Sequence, residues 1–247
     1  MPWRDDHSPY FVFVSEVMLQ QTQVSRVIQK FPQFIARFPD FHSLSRAHTA
    51  ELLSIWQGMG YNRRALYLKQ ASKIIGKKYH GVLPKDQRLL DELPGIGPAT
   101  ASAIVVYTYN VPVVFIETNI RRIFIHHFFS DKKNINDADI IPHIQKTVDK
   151  KNPREWYWAL MDYGAYLGKG RENPNKKSNR YVKQSQFEGS TRQMRGELLK
   201  IFLQRRYTKA ELERKYNGDE RLATSLDELE REGFVRVRKG IYCINNT

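Results

Sequence analysis

The residues best suited to chemistry lie in the string Leu93-Pro94-Gly95-Ile96-Gly97-Pro98-Ala99-Thr100-Ala101. Two glycines one residue apart precede an apolar stretch that reads as a helix starting near Ala99. Glycine permits the tight turn, and a helix start leaves backbone N–H groups without intrahelical acceptors. Such a turn is a seat for an anion, and in a basic chain the anion it suits is a DNA phosphate. The chain is basic: Lys and Arg number 40 against 26 Asp and Glu, a formal charge of +14. That surplus favours a polyanion, whether nucleic acid, an anionic membrane surface or an acidic protein. The single cysteine, Cys243, excludes an intrachain disulfide and any zinc or iron–sulfur centre built on several thiolates. Apolar runs fall short of the roughly 18–20 residues that cross a membrane. No N-terminal stretch has a signal peptide's pattern, so an intracellular protein is expected.

The elements that must position these residues are mostly helical. Phe13, Val17, Val24, Val27, Ile28, Phe31 and Phe34 fit helices over about 9–20 and 23–37, punctuated by Pro32 and Pro39. Two short helices follow through residue 56, with Thr49 as an N-cap before Glu51. Gly58, Gly60 and Tyr61 interrupt the pattern. A basic amphipathic helix runs from Arg63 to Tyr79, with Ala65, Leu68, Ala71, Ile74 and Ile75 on one stripe. Residues 168–183 carry Lys169, Arg171, Lys176, Lys177, Arg180 and Lys183 against Glu172 and read as a basic loop. Beyond it, helices are expected over 191–206, 209–216 and 219–232, with Thr208 and Glu211 as a capping box. Residues 234–238 and 241–244 then form a hairpin turning at Lys239-Gly240. Three helices and a hairpin are the layout of a winged helix.

The string at 93–101 also matches the hairpin of the helix–hairpin–helix motif. Pro2-Trp3-Arg4, Pro9-Tyr10 and Ser15-Glu16-Val17-Met18-Leu19-Gln20-Gln21-Thr22-Gln23-Val24 resemble the N-terminal block of the MutY-like adenine DNA glycosylases. These belong to the helix–hairpin–helix superfamily, with endonuclease III as a relative. Trp56-Gln57-Gly58-Met59-Gly60-Tyr61, Arg63-Arg64-Ala65, Asn119-Ile120-Arg121-Arg122 and Met161-Asp162-Tyr163-Gly164-Ala165 extend the resemblance over about residues 2–167. It implies a mainly α, two-lobed helix–hairpin–helix glycosylase fold, here followed by a small winged-helix-like α+β domain. The expected division is a glycosylase domain over 1–167, a basic linker over 168–190 and the winged helix over 191–247.

The resemblance also implies roles. Cleaving an N-glycosidic bond calls for protonation of the leaving base and stabilisation of a cationic sugar. Glu16 matches the general acid, and the preceding Val12, Phe13 and Val14 would keep it protonated. Glu117, where the family usually has Asp, would stabilise the cation or add transiently to C1′, with Asn119 orienting it. Trp3, Arg4 and Trp158 correspond to the base pocket, although the family usually has Gln or Glu where Trp158 stands. Gln21, Met59 and Tyr61 match residues that enter the duplex and fill the gap left by base flipping. Gln20, Thr22, Gly95, Ile96, Gly97, Ala99 and Thr100 are further expected DNA contacts.

Ala99 stands where bifunctional relatives carry a Schiff-base lysine, so hydrolysis without lyase activity is expected. The family's four cluster cysteines are missing, so no 4Fe–4S cluster and no metal site are expected, with room for a monovalent cation at the hairpin. The winged-helix candidate is not the second domain that recognises 8-oxoguanine in MutY-like enzymes, so recognition of the opposite base would need another device. The implied activity is a monofunctional glycosylase removing adenine opposite 8-oxoguanine or guanine. Thymine or uracil opposite guanine, a deaminated purine, or a non-catalytic DNA-binding role are the alternatives. The expected partner is double-stranded DNA with a mismatch or lesion, bound by a cytoplasmic, nucleoid-associated monomer.

Overall fold

The computed structural model describes residues 1–170 and 172–246. Arg171, counted above in the basic loop, lies outside the described residues. The first half of the chain is helical throughout: α1 (Pro2–Asp5), α2 (Pro9–Leu19), α3 (Val24–Arg37), α4 (Phe41–Arg46), α5 (Thr49–Trp56), α6 (Arg63–Lys78), α7 (Gln87–Asp91) and α8 (Pro98–Tyr109). Then come α9 (Thr118–Phe128), α10 (Asp137–Thr147), α11 (Pro153–Leu167), a 3-10 turn (Pro174–Lys177) and α12 (Thr191–Phe202). The chain closes with β1 (Tyr207–Thr208), α13 (Lys209–Tyr216), α14 (Arg221–Arg231), β2 (Val235–Arg238) and β3 (Ile241–Ile244). No helix among the described residues is long and apolar enough to cross a membrane.

The chain folds into two compact units. One gathers residues 1–2, 17–82 and 185–247; the other gathers 3–16 and 83–184. In the first, the apolar faces of α3 and α5 bury Phe31, Phe34, Leu52 and Trp56, with Phe34 edge-on to Trp56 at 5.9 Å. The winged-helix segment belongs to this unit, and three helices surround an antiparallel sheet of order β1-β3-β2. The short strand β1 went unforeseen because two residues carry no period. Lys239 and Gly240 both have positive φ, +50° and +71°, as the two-residue turn of a right-twisted hairpin requires. Thr208 and Glu211 make the expected capping box. Thr49 does not cap α5: His48 precedes the helix, and the buried Thr49 hydroxyl makes a long contact (3.5 Å) with Lys69 Nζ.

In the second unit, α8, α9, α10 and α11 close over a core that includes Val12, Val106, Phe115, Ile120, Ile140 and Tyr157. The stretch after Gly168 is only partly the open basic loop expected. Asn175 and Ser178 are buried. Asn175 donates to the Thr118 carbonyl at 3.0 Å, Arg122 donates to Asn173, and Ser178 bridges Ile135. Asparagine side chains and main-chain pairing here do the docking that apolar side chains do elsewhere, so the hydrophobic pattern gives no warning of it.

Candidate active site

Glu16 sits on α2 after a run, Val12 to Ser15, that is buried throughout. This setting shifts its carboxyl strongly: burial, reinforced by the nearby Glu117 and opposed by Arg4, pushes it up to about 8. Charging a desolvated carboxyl beside another carboxylate is costly. Glu16 therefore holds a proton at neutral pH.

Glu117 is placed by the chain around it. The extended segment before it is pinned by the Tyr157 hydroxyl, which donates to Val113 O at 3.0 Å and accepts from Phe115 N at 3.2 Å. The Tyr157 ring stacks on Phe115 at 4.2 Å. Glu117 itself caps α9, its Oε1 accepting from Asn119 N at 2.5 Å and Ile120 N at 3.0 Å. Burial raises its pKa, while those two amides, then Arg121 and Arg122, pull the other way. Of the two acids it is the better supplied with partners for an anion. The pair is thus biased toward one proton held on Glu16.

Asn119 orients Glu117 through its main-chain amide rather than its side chain. Its Oδ1 is engaged by Arg122 Nη1 at 2.9 Å, and Arg122 also donates to Gly164 O. Gly164 is needed for this approach: a Cβ there would lie 2.4 Å from Asn119 O.

Arg4 and Trp158 come together, joined by two residues that sequence reasoning did not single out for the site. Arg4 forks onto Asp162 with both bonds at 2.8 Å, and its guanidinium lies 5.2 Å from the Trp158 ring centre. Trp158 also stacks on Tyr107 at 5.9 Å and 23°. The Tyr107 hydroxyl feels both acids: burial first, then Glu16 and Glu117, raise its pKa well above the usual phenol range. Tyr107 lies in the apolar run Ala101–Val106 of α8 and its continuation, so helical periodicity marks it only as core. Trp3, expected in the base pocket, is 5% exposed and packs in the interior.

The other expected DNA contacts divide by what the backbone does. In the hairpin, α7 and α8 flank a turn with Gly95 at φ +78°. Ile96 is 4% exposed, so only its main chain is available to a phosphate. Ala99 is exposed in the first turn of α8, beside Thr100. In the other unit, the buried Arg64 binds the carbonyls of Val17, Met18 and Gln20, the Thr22 hydroxyl, and Met59 and Gly60 carbonyls. One guanidinium thus ties the end of α2 to the turn 58–61. Gln21 is exposed with φ +52°, and Tyr61 has φ +45°. Met59 is only 2% exposed. Its thioether side chain packs in the core.

No group of three or more His, Cys, Asp or Glu among the described residues is placed to hold a metal ion. Cys243 alone cannot bind a four-thiolate cluster. The residues present do not fit an iron–sulfur centre.

Comparison with known proteins places this geometry. Residues 14–148 match the model of the HhH-GPD superfamily base excision DNA repair protein. The adenine DNA glycosylase of Buchnera aphidicola subsp. Baizongia pistaciae is 35% identical over 68% of this chain and 48% of its own length. That of Mycobacterium tuberculosis (strain H37Rv) is 29% identical over 86% of this chain and 77% of its own. The chain spans about half the length of the Buchnera relatives it matches. In three dimensions it resembles a thermostable thymine-DNA glycosylase, with TM-score 0.63, 21% identity, and coverage of 72% and 83% of the two chains. It also resembles endonuclease III in a non-covalent DNA complex, with TM-score 0.59, 20% identity, and coverage of 67% and 77%. These likenesses in structure show the helix–hairpin–helix glycosylase fold. With more than half its residues matched by the family model, the chain belongs to the HhH-GPD superfamily of base excision DNA repair proteins.

Proposed function

We propose that the protein is a DNA N-glycosylase that hydrolyses the bond between an extruded base and its sugar and stops at the abasic site. The observation that carries this reading is a proton-holding Glu16 next to a Glu117 supplied with amide and arginine partners. Glu16 gives its proton to a ring nitrogen of the leaving base as the bond to C1′ breaks. Glu117 stays anionic and stabilises the positive charge on the sugar. Water adds to C1′ and gives its proton to the Glu16 carboxylate left by the first step, so the products are the free base and an intact strand with a hydroxyl at C1′. Ala99 has no amine to form an imine with that sugar, which supports a reaction without strand scission.

The relatives named adenine DNA glycosylases favour adenine as the base this chain removes, and 8-oxoguanine or guanine is the partner expected opposite it. Trp158 favours a second reading, thymine or uracil opposite guanine. Its indole, packed between Tyr107 and Arg4, offers a stacking face and lacks the paired donor and acceptor that an adenine edge would use. The test is a panel of duplexes with A opposite 8-oxoguanine, A opposite G, T opposite G, U opposite G and hypoxanthine. Products are cleaved with alkali. Alkali-dependent scission of the adenine duplexes is expected; scission without alkali, or of none of the duplexes, overturns the proposal.

A further inference from the structure

The winged-helix segment reaches the turn 58–61 through one arginine. Arg192 Nη1 donates to the Tyr61 hydroxyl at 2.8 Å, and its guanidinium lies 5.7 Å from the Tyr61 ring centre. The same guanidinium lies 6.0 Å from the ring centre of Phe187. Its Nη2 donates to the Ser185 carbonyl at 2.8 Å, which fixes the plane of the fork. A second tie, Arg63 to Glu232, with Glu232 also held by Arg195 at 2.5 Å, fastens the segment to the start of α6. Phe187 is nevertheless 60% exposed. An uncovered aromatic ring beside a guanidinium and a second ring is poor packing for its own sake.

It is good packing for one unstacked nucleobase. Aromatic rings stack on any base face. An arginine fork matches the acceptor edge that guanine presents, O6 with N7, and finds no such edge on cytosine. The polyanionic chain that carries a base suits a protein of net charge +14.

We propose that Tyr61, Phe187 and Arg192 form a binding site for the base left unpaired in the opposite strand, with preference for a guanine-type edge. This rests on the glycosylase reading only in that extrusion of one base leaves its partner unpaired. The C-terminal segment would thereby discriminate the opposite base.

The experiment measures binding, by fluorescence anisotropy, of the whole protein to duplexes holding a tetrahydrofuran abasic analogue opposite G, 8-oxoguanine, C or T. Salt is held constant and no excision is needed. The wild-type protein is expected to prefer guanine over cytosine and thymine by about tenfold or more, and to hold 8-oxoguanine, whose N7 carries a hydrogen, less well than guanine. Arg192→Ala should bring that ratio close to one, weakening binding to the guanine duplex more than to the cytosine duplex. Arg192→Lys keeps the charge and so guards against a simple folding loss; it too should lose most of the ratio. Phe187→Ala should weaken binding to all four. A wild-type protein without preference, or variants at Arg192 that keep it, would overturn the proposal. Preference that survives when the excision panel fails would sink the glycosylase reading and leave this site standing.

Discussion

At the scale of single residues, the chemistry turns on two acids with opposite assignments. Glu16 must be protonated and Glu117 ionised, so the pair should titrate as a unit and give a bell-shaped rate profile. The alkaline limb should fall as pH rises through about 8, where Glu16 loses its proton. The acid limb should lie above the ordinary carboxylate range, because Glu117 is raised by burial. Stability responds to the same proton. Glu16 binds it more tightly folded than unfolded, so its contribution is lost as pH rises from the unfolded value toward 8. Glu16→Gln should therefore raise the melting temperature over the wild type, increasingly so between about pH 5 and 8; a melting temperature lowered at pH 8 would count against the buried, proton-holding Glu16. Tyr107→Phe keeps the stack on Trp158 and removes the hydroxyl. Removing a hydroxyl that lies within the field of both acids should displace the limbs of the profile, and unchanged limbs would remove Tyr107 from the site. Glu16 and Glu117 were legible from the sequence because each sits in a distinctive string. Tyr107 was not, since a phenol in an apolar helix looks the same whether its hydroxyl faces core or catalyst. Trp3 and Met59 sit in informative strings, yet nothing in those strings tells that both side chains are buried.

At the scale of elements, the site depends on how α9 is held. Its first turn is capped by Glu117, crossed by α11 at Gly164 and docked by Asn175. Gly164→Ala places a methyl into the Asn119 main chain, and α9 must shift or α11 must lift. We expect a loss of stability in the range of overpacking, about 1–3 kcal/mol, measured by urea unfolding. Excision should slow by more than the unfolded fraction explains. A stable Gly164→Ala variant with full excision would show that the close crossing does not set Glu117. The helices themselves were readable from their period, and the hairpin at 93–101 from its glycines. The docking of residues 173–179 was unreadable, because it uses asparagine side chains and main-chain pairing, in a segment whose composition suggests a loop.

At the scale of the whole molecule, charge and excision chemistry should be separable. Binding to duplex DNA should weaken steeply as salt rises, because phosphate contacts release counterions, and a flat salt response would remove the basic surface from DNA binding. The mainly helical fold was legible, as were the three helices and the hairpin near the C-terminus; the grouping of residues 185–247 with 17–82 was not. It rests on single long-range contacts, such as Arg192 with Tyr61 and Asn246 with Ala50, which leave no periodic trace. The most direct measurement is single-turnover release of free base, followed by mass spectrometry, from a duplex with adenine opposite 8-oxoguanine. The wild-type protein should release adenine and leave an unbroken abasic strand, and Glu16→Gln should slow release by about 100-fold or more while still binding the duplex. Equal release by the two proteins, or no adenine released by the wild type, would contradict the proposed chemistry.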